Sequence, residues 1–236
     1  MRWPGSASSH GLDRDRTRNF FTSSRRTNHL TDPFRPFIVA GMGLDETLFH
    51  SINGVAGRSS LLDWAMVELA KPGNLLYPVL LAAAYWFWTN RRECLIGAVG
   101  LAGVIGAADA LGTQLKGLVQ RPRPCVTLAD VHQLLGCGGA FSFPSNHAAN
   151  TAAAAAFFQV LYPKSGWIGW PLVAAIGISR VYIGAHYLTD VIGGWVVGGL
   201  IGAGVAWSLT RWSRFRPRAE RMAPPRVRQP SAGSIS

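Results

Sequence analysis

The sequence predicts an all-α, polytopic membrane helix bundle of about five to six transmembrane helices, with amphipathic helices at the interface. Three observations lead there. Hydrophobic residues make up 48% of the 236 positions and charged ones 15%, against roughly 25% charged in soluble domains. The nine Trp and 27 Gly are residue types favoured in membrane proteins. The net charge of +11 sits at the ends: Arg2, Arg14, Arg16, Arg18, Arg25, Arg26 and Arg35 at one, the arginines from Arg211 to Arg228 at the other, around an apolar middle. Basic ends flanking apolar spans read as anchoring and topology. This patterning excludes nucleic acid as a partner.

In chain order, residues 1–35 are polar and rich in Arg and Ser, with no apolar h-region, so they are not a secretory signal. Composition predicts a disordered basic tail there. The alternative is that Met42 is the true start, because a structured pattern begins just after it. Leu44, Leu48, Phe49, Ile52 and Val55 share one face at helical spacing, as in an amphipathic segment lying in the membrane interface. The next segment, Ser60–Ala70, stops at Lys71-Pro72-Gly73. It is too short for a bilayer that needs roughly 20 residues.

Five spans follow: Leu75–Trp88, Cys94–Leu115, Ala148–Tyr162, Trp167–Tyr182 and Val191–Leu209. The basic connectors Arg91-Arg92, Lys164 and the Arg211 tail fall at alternate ends of the spans, and the positive-inside rule makes those ends cytoplasmic. Loops 116–147 and 183–190 then face the opposite side together, as a shared active site requires. Five spans with a cytoplasmic C-terminus place the N-terminus outside, against seven arginines in 1–35. Either that tail is not translated or segment 36–70 crosses. Residues 213–236 read as a second disordered basic tail, leaving 36–212 as the folded domain. Gly194, Gly198 and Gly202 form a small-x3-small stripe, read as packing within the monomer ahead of a dimer interface. Asp109 lies two turns before Lys116 on the same helix face. It is expected to orient Lys116 or another cation of the site.

The chemistry centres on Phe143-Pro144-Ser145-Asn146-His147, just before the alanine-rich run Ala148–Phe158. A serine in that position can act as N-cap and leave a helix start that favours anions. Lys116 and Arg123-Pro124 lie upstream, with Ser179-Arg180, His186 and Asp190 downstream. Phosphoryl transfer needs in-line attack and positive charge around the equatorial oxygens. Arginine supplies a planar fork and lysine a point charge, so Lys116, Arg123 and Arg180 read as the clamp, with Ser145 and Asn146 at the helix start. His186 and Asp190, four apart, share a face if helical. The carboxylate can hold one ring nitrogen and leave the other to attack. His147, in the first turn after Ser145, is placed to give a proton to the leaving oxygen. Pro122 and Pro124 stiffen the loop that presents Arg123. Arg121 falls outside this set, as a rim or lipid-headgroup contact or as nothing. No Asp, Glu or His cluster has metal-ligand spacing, so the reaction is read as metal-independent and without a cofactor.

The spacing Lys-x6-Arg-Pro, Pro-Ser-x-His, Ser-Arg-x5-His-x3-Asp resembles the type 2 phosphatidic acid phosphatase (PAP2) family very closely. The motifs span residues 116–190 and the run of segments spans 44–210. The resemblance implies a phosphohistidine at His186, hydrolysed by water with His147 assisting, on a lipid phosphate substrate held in the membrane. One departure is Asn146, where the family more often has glycine. A backbone N–H serves there, and asparagine provides it too. The opening Leu44-Asp45-Glu46-Thr47-Leu48-Phe49 resembles undecaprenyl-diphosphate phosphatases. Phosphatidylglycerophosphate, phosphatidic acid and lipid A phosphatases share the motifs. The expected place is a bacterial inner membrane, with the site facing the periplasm. Two other classes are a catalytically idle phospholipid-binding relative, against which the intact His147, His186 and Asp190 speak, and a membrane scaffold. Of the three cysteines, Cys94 starts a span on the cytoplasmic side and is expected to stay reduced. Cys125 and Cys137 lie in the loop facing the oxidising side, as a disulfide or as two free thiols.

Overall fold

The computed structural model describes residues 35–212 apart from Pro72 and Leu75. The tails expected over 1–35 and 213–236 lie outside the described residues, save for Arg35, which opens the first helix. The chain divides into two compact units, residues 1–41 and 42–236. Of the first, the described part is 35–41, the start of a helix. The described residues form eight α-helices: α1 (Arg35–Asn53), α2 (Ser60–Ala70), α3 (Leu76–Thr89), α4 (Arg91–Val119), α5 (Pro124–Thr127), α6 (Asn146–Leu161), α7 (Gly166–Tyr182) and α8 (Leu188–Trp212). The five expected spans are α3, α4, α6, α7 and α8.

Local chemistry sets the boundaries. The Ser59 hydroxyl accepts from Leu62 N at the start of α2, and the Asn90 side chain accepts from Glu93 N at the start of α4; both are N-caps. The α4 helix ends at Gln120 in the left-handed region (φ 50°). Arg121-Pro122-Arg123-Pro124 then cannot continue a helix, and Pro124 becomes the first residue of α5.

Among the described residues, two helices are long and apolar enough to cross a membrane: 91–119 and 188–211, with mean hydropathies of 2.0 and 1.6. Only 22% and 28% of their apolar windows are buried, unlike the core helix of a soluble protein. Leu95, Val99, Leu111, Val196 and Leu200 point outward, a display of apolar surface that suits lipid. At 14, 16 and 17 residues, α3, α6 and α7 fall short of the roughly 20 of a full crossing.

Helix α6 forms the centre. Its Ala148, Ala149, Ala152 and Ala153 are fully buried, and α8 lies against them through Gly194, Gly198 and Gly202. A Cβ at Gly194 would stand 2.6 Å from the Ser145 carbonyl oxygen, and one at Gly198 or Gly202 would strike the carbonyl of Ala149 or Ala153. The small-residue stripe thus packs within the chain. Val104 and Ala108 of α4, Phe157 and Leu161 of α6, and Ala206 of α8 close the core below.

Helix α1 does not present its five apolar residues as one face. Phe49 is fully buried and Ile52 half-buried, but Leu44 (66% exposed) and Leu48 (38%) turn outward. The face that packs carries Asp45, Phe49 and Asn53, spaced i, i+4, i+8 on one side of the helix. A phenylalanine is flanked there by two buried polar groups, and both are latched to loops of the site.

Candidate active site

Two loops meet the starts of α6 and α8. Ser145 is the N-cap of α6 by position, but its hydroxyl makes no capping bond. Its backbone N–H donates instead to the Asp190 carbonyl (3.0 Å), tying the start of α6 to that of α8. Lys116, in the last turn of α4, reaches the same corner by donating to the Pro144 carbonyl. From the other side, the Arg180 carbonyl accepts from the His186 backbone N–H (3.3 Å) while its Nη1 donates to Ala70 O (3.0 Å).

Arg123 is buried and held on three sides. Its Nε donates to Gly139 O (2.6 Å), and its Nη1 donates to Ala185 O (2.9 Å) and lies 3.1 Å from His186 Nε2. Gly138, at φ +82°, brings the backbone close to this guanidinium; a Cβ there would sit 3.5 Å from Arg123 Cζ. The clip joining Cys125 to Cys137 (Cα–Cα 6.0 Å) closes the loop between these two contacts. Of the two alternatives for these cysteines, the disulfide is the one found.

Because arginine only donates, His186 Nε2 must accept, and the ring proton belongs on Nδ1. Nδ1 faces Asp190 Oδ2 at 3.5 Å, longer than a formed hydrogen bond. Such contacts tighten when the ring gains charge. Burial pushes the imidazole down to about 4, and Arg123 and Arg180 push the same way, against the pull of Asp190. His186 is therefore neutral near pH 7, and its Nε2 lone pair, which accepts from Arg123, becomes available to a substrate as that guanidinium turns to the substrate's oxygens. Burial also lowers the Arg123 guanidinium, opposed by Asp190.

The pair is not the helical i, i+4 arrangement expected. His186 precedes α8, while Asp190 is its third residue. Asp190 Oδ2 reaches back to accept from Tyr187 N (2.9 Å), the geometry of a capping box. The carboxylate that faces His186 is thus fixed by the helix start itself.

Among the described residues, buried side-chain atoms without a hydrogen-bond partner include Ser145 Oγ, His147 Nε2, Arg180 Nε and His186 Nδ1. Buried polar atoms seldom go unpartnered, and these four belong to the residues whose spacing first suggested an anion site. His147 lies within electrostatic reach of Lys116, Arg123 and Arg180. A phosphate would satisfy the first three, while His186 Nδ1 faces Asp190.

Two readings change. Asp109 does not hold Lys116. Its Oδ1 accepts from Asn146 Nδ2 (2.8 Å) and, more weakly, from Asn150 Nδ2 (3.4 Å). The Asn146 side chain therefore faces α4, where a Cβ at Gly112 would lie 2.8 Å from its Oδ1. Only its backbone N–H is left for an anion. Arg121 is no rim residue: its Nη1 donates to Asp190 Oδ1 (2.8 Å) and its Nη2 to Asp45 Oδ2 (2.6 Å). Sequence reasoning gave Asp45 no role beyond its place in the opening stretch and missed Asn53. The signal that could have found Arg121 is its place two residues before Arg123 in a proline-bracketed extended segment, where alternate side chains share a side.

Residues 97–214 match the family model described as the PAP2 superfamily. The chain is 35% identical over 160 residues to undecaprenyl-diphosphatase BcrC of Bacillus subtilis, covering 66% of this chain and 79% of that protein. It is 37% identical over 169 residues to decaprenylphosphoryl-5-phosphoribose phosphatase of Mycolicibacterium smegmatis, covering 66% and 83%. Its fold is similar to the crystal structure of a transmembrane PAP2-type phosphatidylglycerolphosphate phosphatase from Bacillus subtilis. There the TM-score is 0.59 at 28% identity, over 75% of this chain and 90% of that one.

Proposed function

The chain belongs to the PAP2 superfamily as a membrane lipid phosphatase, and on that premise we propose that it cleaves a terminal phosphate from a lipid, with undecaprenyl diphosphate the first candidate. The observation that carries this is the neutral His186 Nε2 set 3.1 Å from a buried arginine fork, beside a helix start. The similarity to BcrC over four fifths of that protein favours the diphosphate.

In the proposed reaction the His186 Nε2 lone pair attacks phosphorus as the bond to the leaving oxygen breaks, and His147 gives that oxygen a proton. The imidazole carries positive charge once the N–P bond forms, and Asp190 accepts from Nδ1–H and balances it. Water then attacks phosphorus, the N–P bond breaks, and the water proton passes to His147. Lys116, Arg123 and Arg180 supply the positive charge around the equatorial oxygens, with the Ser145 hydroxyl and the first N–H groups of α6 completing the cradle. The reaction therefore needs no divalent metal.

The basic connectors support five to six crossings with this site outside the cytoplasm. A cysteine placed in 126–136 should react with an impermeant thiol reagent from outside intact cells. Labelling only after lysis would reverse the orientation. The function itself is tested by phosphate release from undecaprenyl diphosphate, phosphatidylglycerophosphate, phosphatidic acid and lipid A, by purified protein in detergent with EDTA present. Release from the diphosphate above the others is expected. No release from any of them would overturn the proposal, and activity that depends on added Mg2+ would overturn its metal-free form.

A further inference from the structure

A second arginine stands behind the dyad, away from the phosphate cradle. Arg121 lies over the Tyr187 ring, 4.1 Å from its centre. Its two terminal nitrogens part company: Nη1 goes to Asp190 Oδ1 and Nη2 to Asp45 Oδ2, at 2.8 and 2.6 Å. Both carboxylates are buried, Asp190 fully and Asp45 to within 2%. Asp45 in turn accepts the Thr189 backbone N–H (3.1 Å) and its hydroxyl, and Thr189 Oγ1 accepts from Arg121 Nη1 (2.6 Å). Asp45 thus serves as a cap supplied by α1 to the second residue of α8, where an anion is favoured.

We propose that Arg121, clamped by Asp45 of α1, is a positioning residue: its fork fixes the Asp190 carboxylate so that only Oδ2 faces His186. This rests on the reading of His186 as nucleophile. Asp190 has two oxygens and three neighbours. Tyr187 N–H and His186 Nδ1 share Oδ2, and Arg121 engages Oδ1. Without Arg121 the carboxylate keeps only the Tyr187 N–H on Oδ2 (2.9 Å), a single bond that leaves Oδ1 unheld and allows rotation about Cβ–Cγ. A rotated carboxylate would exchange the oxygens and draw away from Nδ1. A planar guanidinium is what the geometry requires, because one group must meet two carboxylates at once. A lysine carries the charge but cannot bridge them in a fixed plane. The arrangement also accounts for α1 being held to the site, since breaking one side of a buried ion pair leaves a costly unpaired charge. Arg121 therefore acts on the reaction through Asp190 and does not touch the substrate.

The test uses the full-length protein in detergent as Arg121→Lys, Arg121→Gln and Asp45→Asn variants. Thermal midpoints report folding. Two readouts follow: kcat and KM on undecaprenyl diphosphate, and the titration of the His186 ring by NMR of histidine-labelled protein, its signal assigned with His186→Gln. His186 is faced by Asp190 from α8, Arg123 from the 120–124 loop and Arg180 from α7. Arg121→Lys should lower kcat by about a hundredfold, the cost of a misplaced reacting group, with KM held within roughly threefold. Asp45→Asn should move kcat the same way by about tenfold, and the Asp45→Asn/Arg121→Lys pair should cost no more than Arg121→Lys alone. In Arg121→Lys, which keeps the cation, the His186 ring should titrate at lower pH than in the wild type, because the Asp190 carboxylate that raises it has drawn away from Nδ1; Arg121→Gln, which also removes a cation, should lower it less. The proposal falls if Arg121→Lys keeps kcat and raises KM, which would make Arg121 a headgroup contact. It also falls if the His186 titration in Arg121→Lys is unmoved or rises. Failure of the wild type to release phosphate from any lipid would instead overturn the proposed function, and the titration would still decide the positioning role.

Discussion

Asn53→Ala removes a small side chain that makes three hydrogen bonds between distant parts of the chain. Asn53 is 1% exposed. Its Nδ2 donates to His132 O (2.9 Å) and Tyr182 O (2.8 Å), and its Oδ1 accepts from His132 N (2.9 Å). It thereby ties α1 to the disulfide loop and to the end of α7. The Tyr182 bond is buried and the His132 bonds are half-buried. A buried group left unpaired costs about 1–3 kcal/mol, and each of two bonds that water can replace about 0.5–1.5. The sum centres on about 4 kcal/mol, or roughly 8–16 °C in thermal midpoint for a chain of this length. Unfolding can be followed with a thiol-reactive fluorophore, since Cys94 is free and buried. Asn53→Asp keeps the volume and the acceptor for His132 N but turns a carboxylate towards two carbonyls, so it should be at least as damaging. A shift below about 2 °C in both variants would refute the reasoning.

The remaining predictions concern the clip, the histidine and the helix contact. Replacing Cys125 and Cys137 by serine opens a loop of sequence separation 12, for which chain entropy gives about 3 kcal/mol. Because Arg123 and its Gly139 partner flank that loop, phosphate release should slow even where the protein stays folded, as paired activity and midpoint measurements would show. The folded-state pKa of His186, about 4, lies below the usual 6.5. The unfolded chain therefore takes up the proton first, and stability present above pH 6.5 is lost as pH falls towards 4. Midpoints measured from pH 7 to 4.5 should fall more steeply for the wild type than for His186→Gln; equal slopes would contradict this. Gly198→Ala drives a methyl into the Ala149 carbonyl; a cost of about 1–3 kcal/mol is expected, and an unchanged midpoint would contradict the α6–α8 packing.

The helices and the phosphate residues were legible because each carries its own local signal. Apolar runs bounded by Lys71-Pro72-Gly73 and Arg91-Arg92 place the segments to within a few residues. Lys116, Arg123, Ser145, His147, Arg180, His186 and Asp190 are recognisable from their types and spacing. What stayed hidden is what depends on a distant partner. Asp45 meets Thr189 144 positions away and Asn53 meets Tyr182 129 positions away. On an amphipathic helix, polar residues such as these read as a solvated face. The apolar side of α1 divides: Leu44 and Leu48 turn outward, as an interfacial face would, while Phe49 packs inward, a split that helical spacing alone does not show. Asp109 was correctly placed two turns from Lys116, but helical spacing does not say which neighbour across the groove donates to it.

Rapid acid or base quenching of the protein during turnover of undecaprenyl diphosphate labelled in its terminal phosphate tests the central claim most directly. A histidine nucleophile predicts a phosphoryl-enzyme that survives alkali and is lost in acid, with the label on the peptide containing His186 and absent in His186→Gln. Label on any other residue would contradict the account, as would full turnover by His186→Gln.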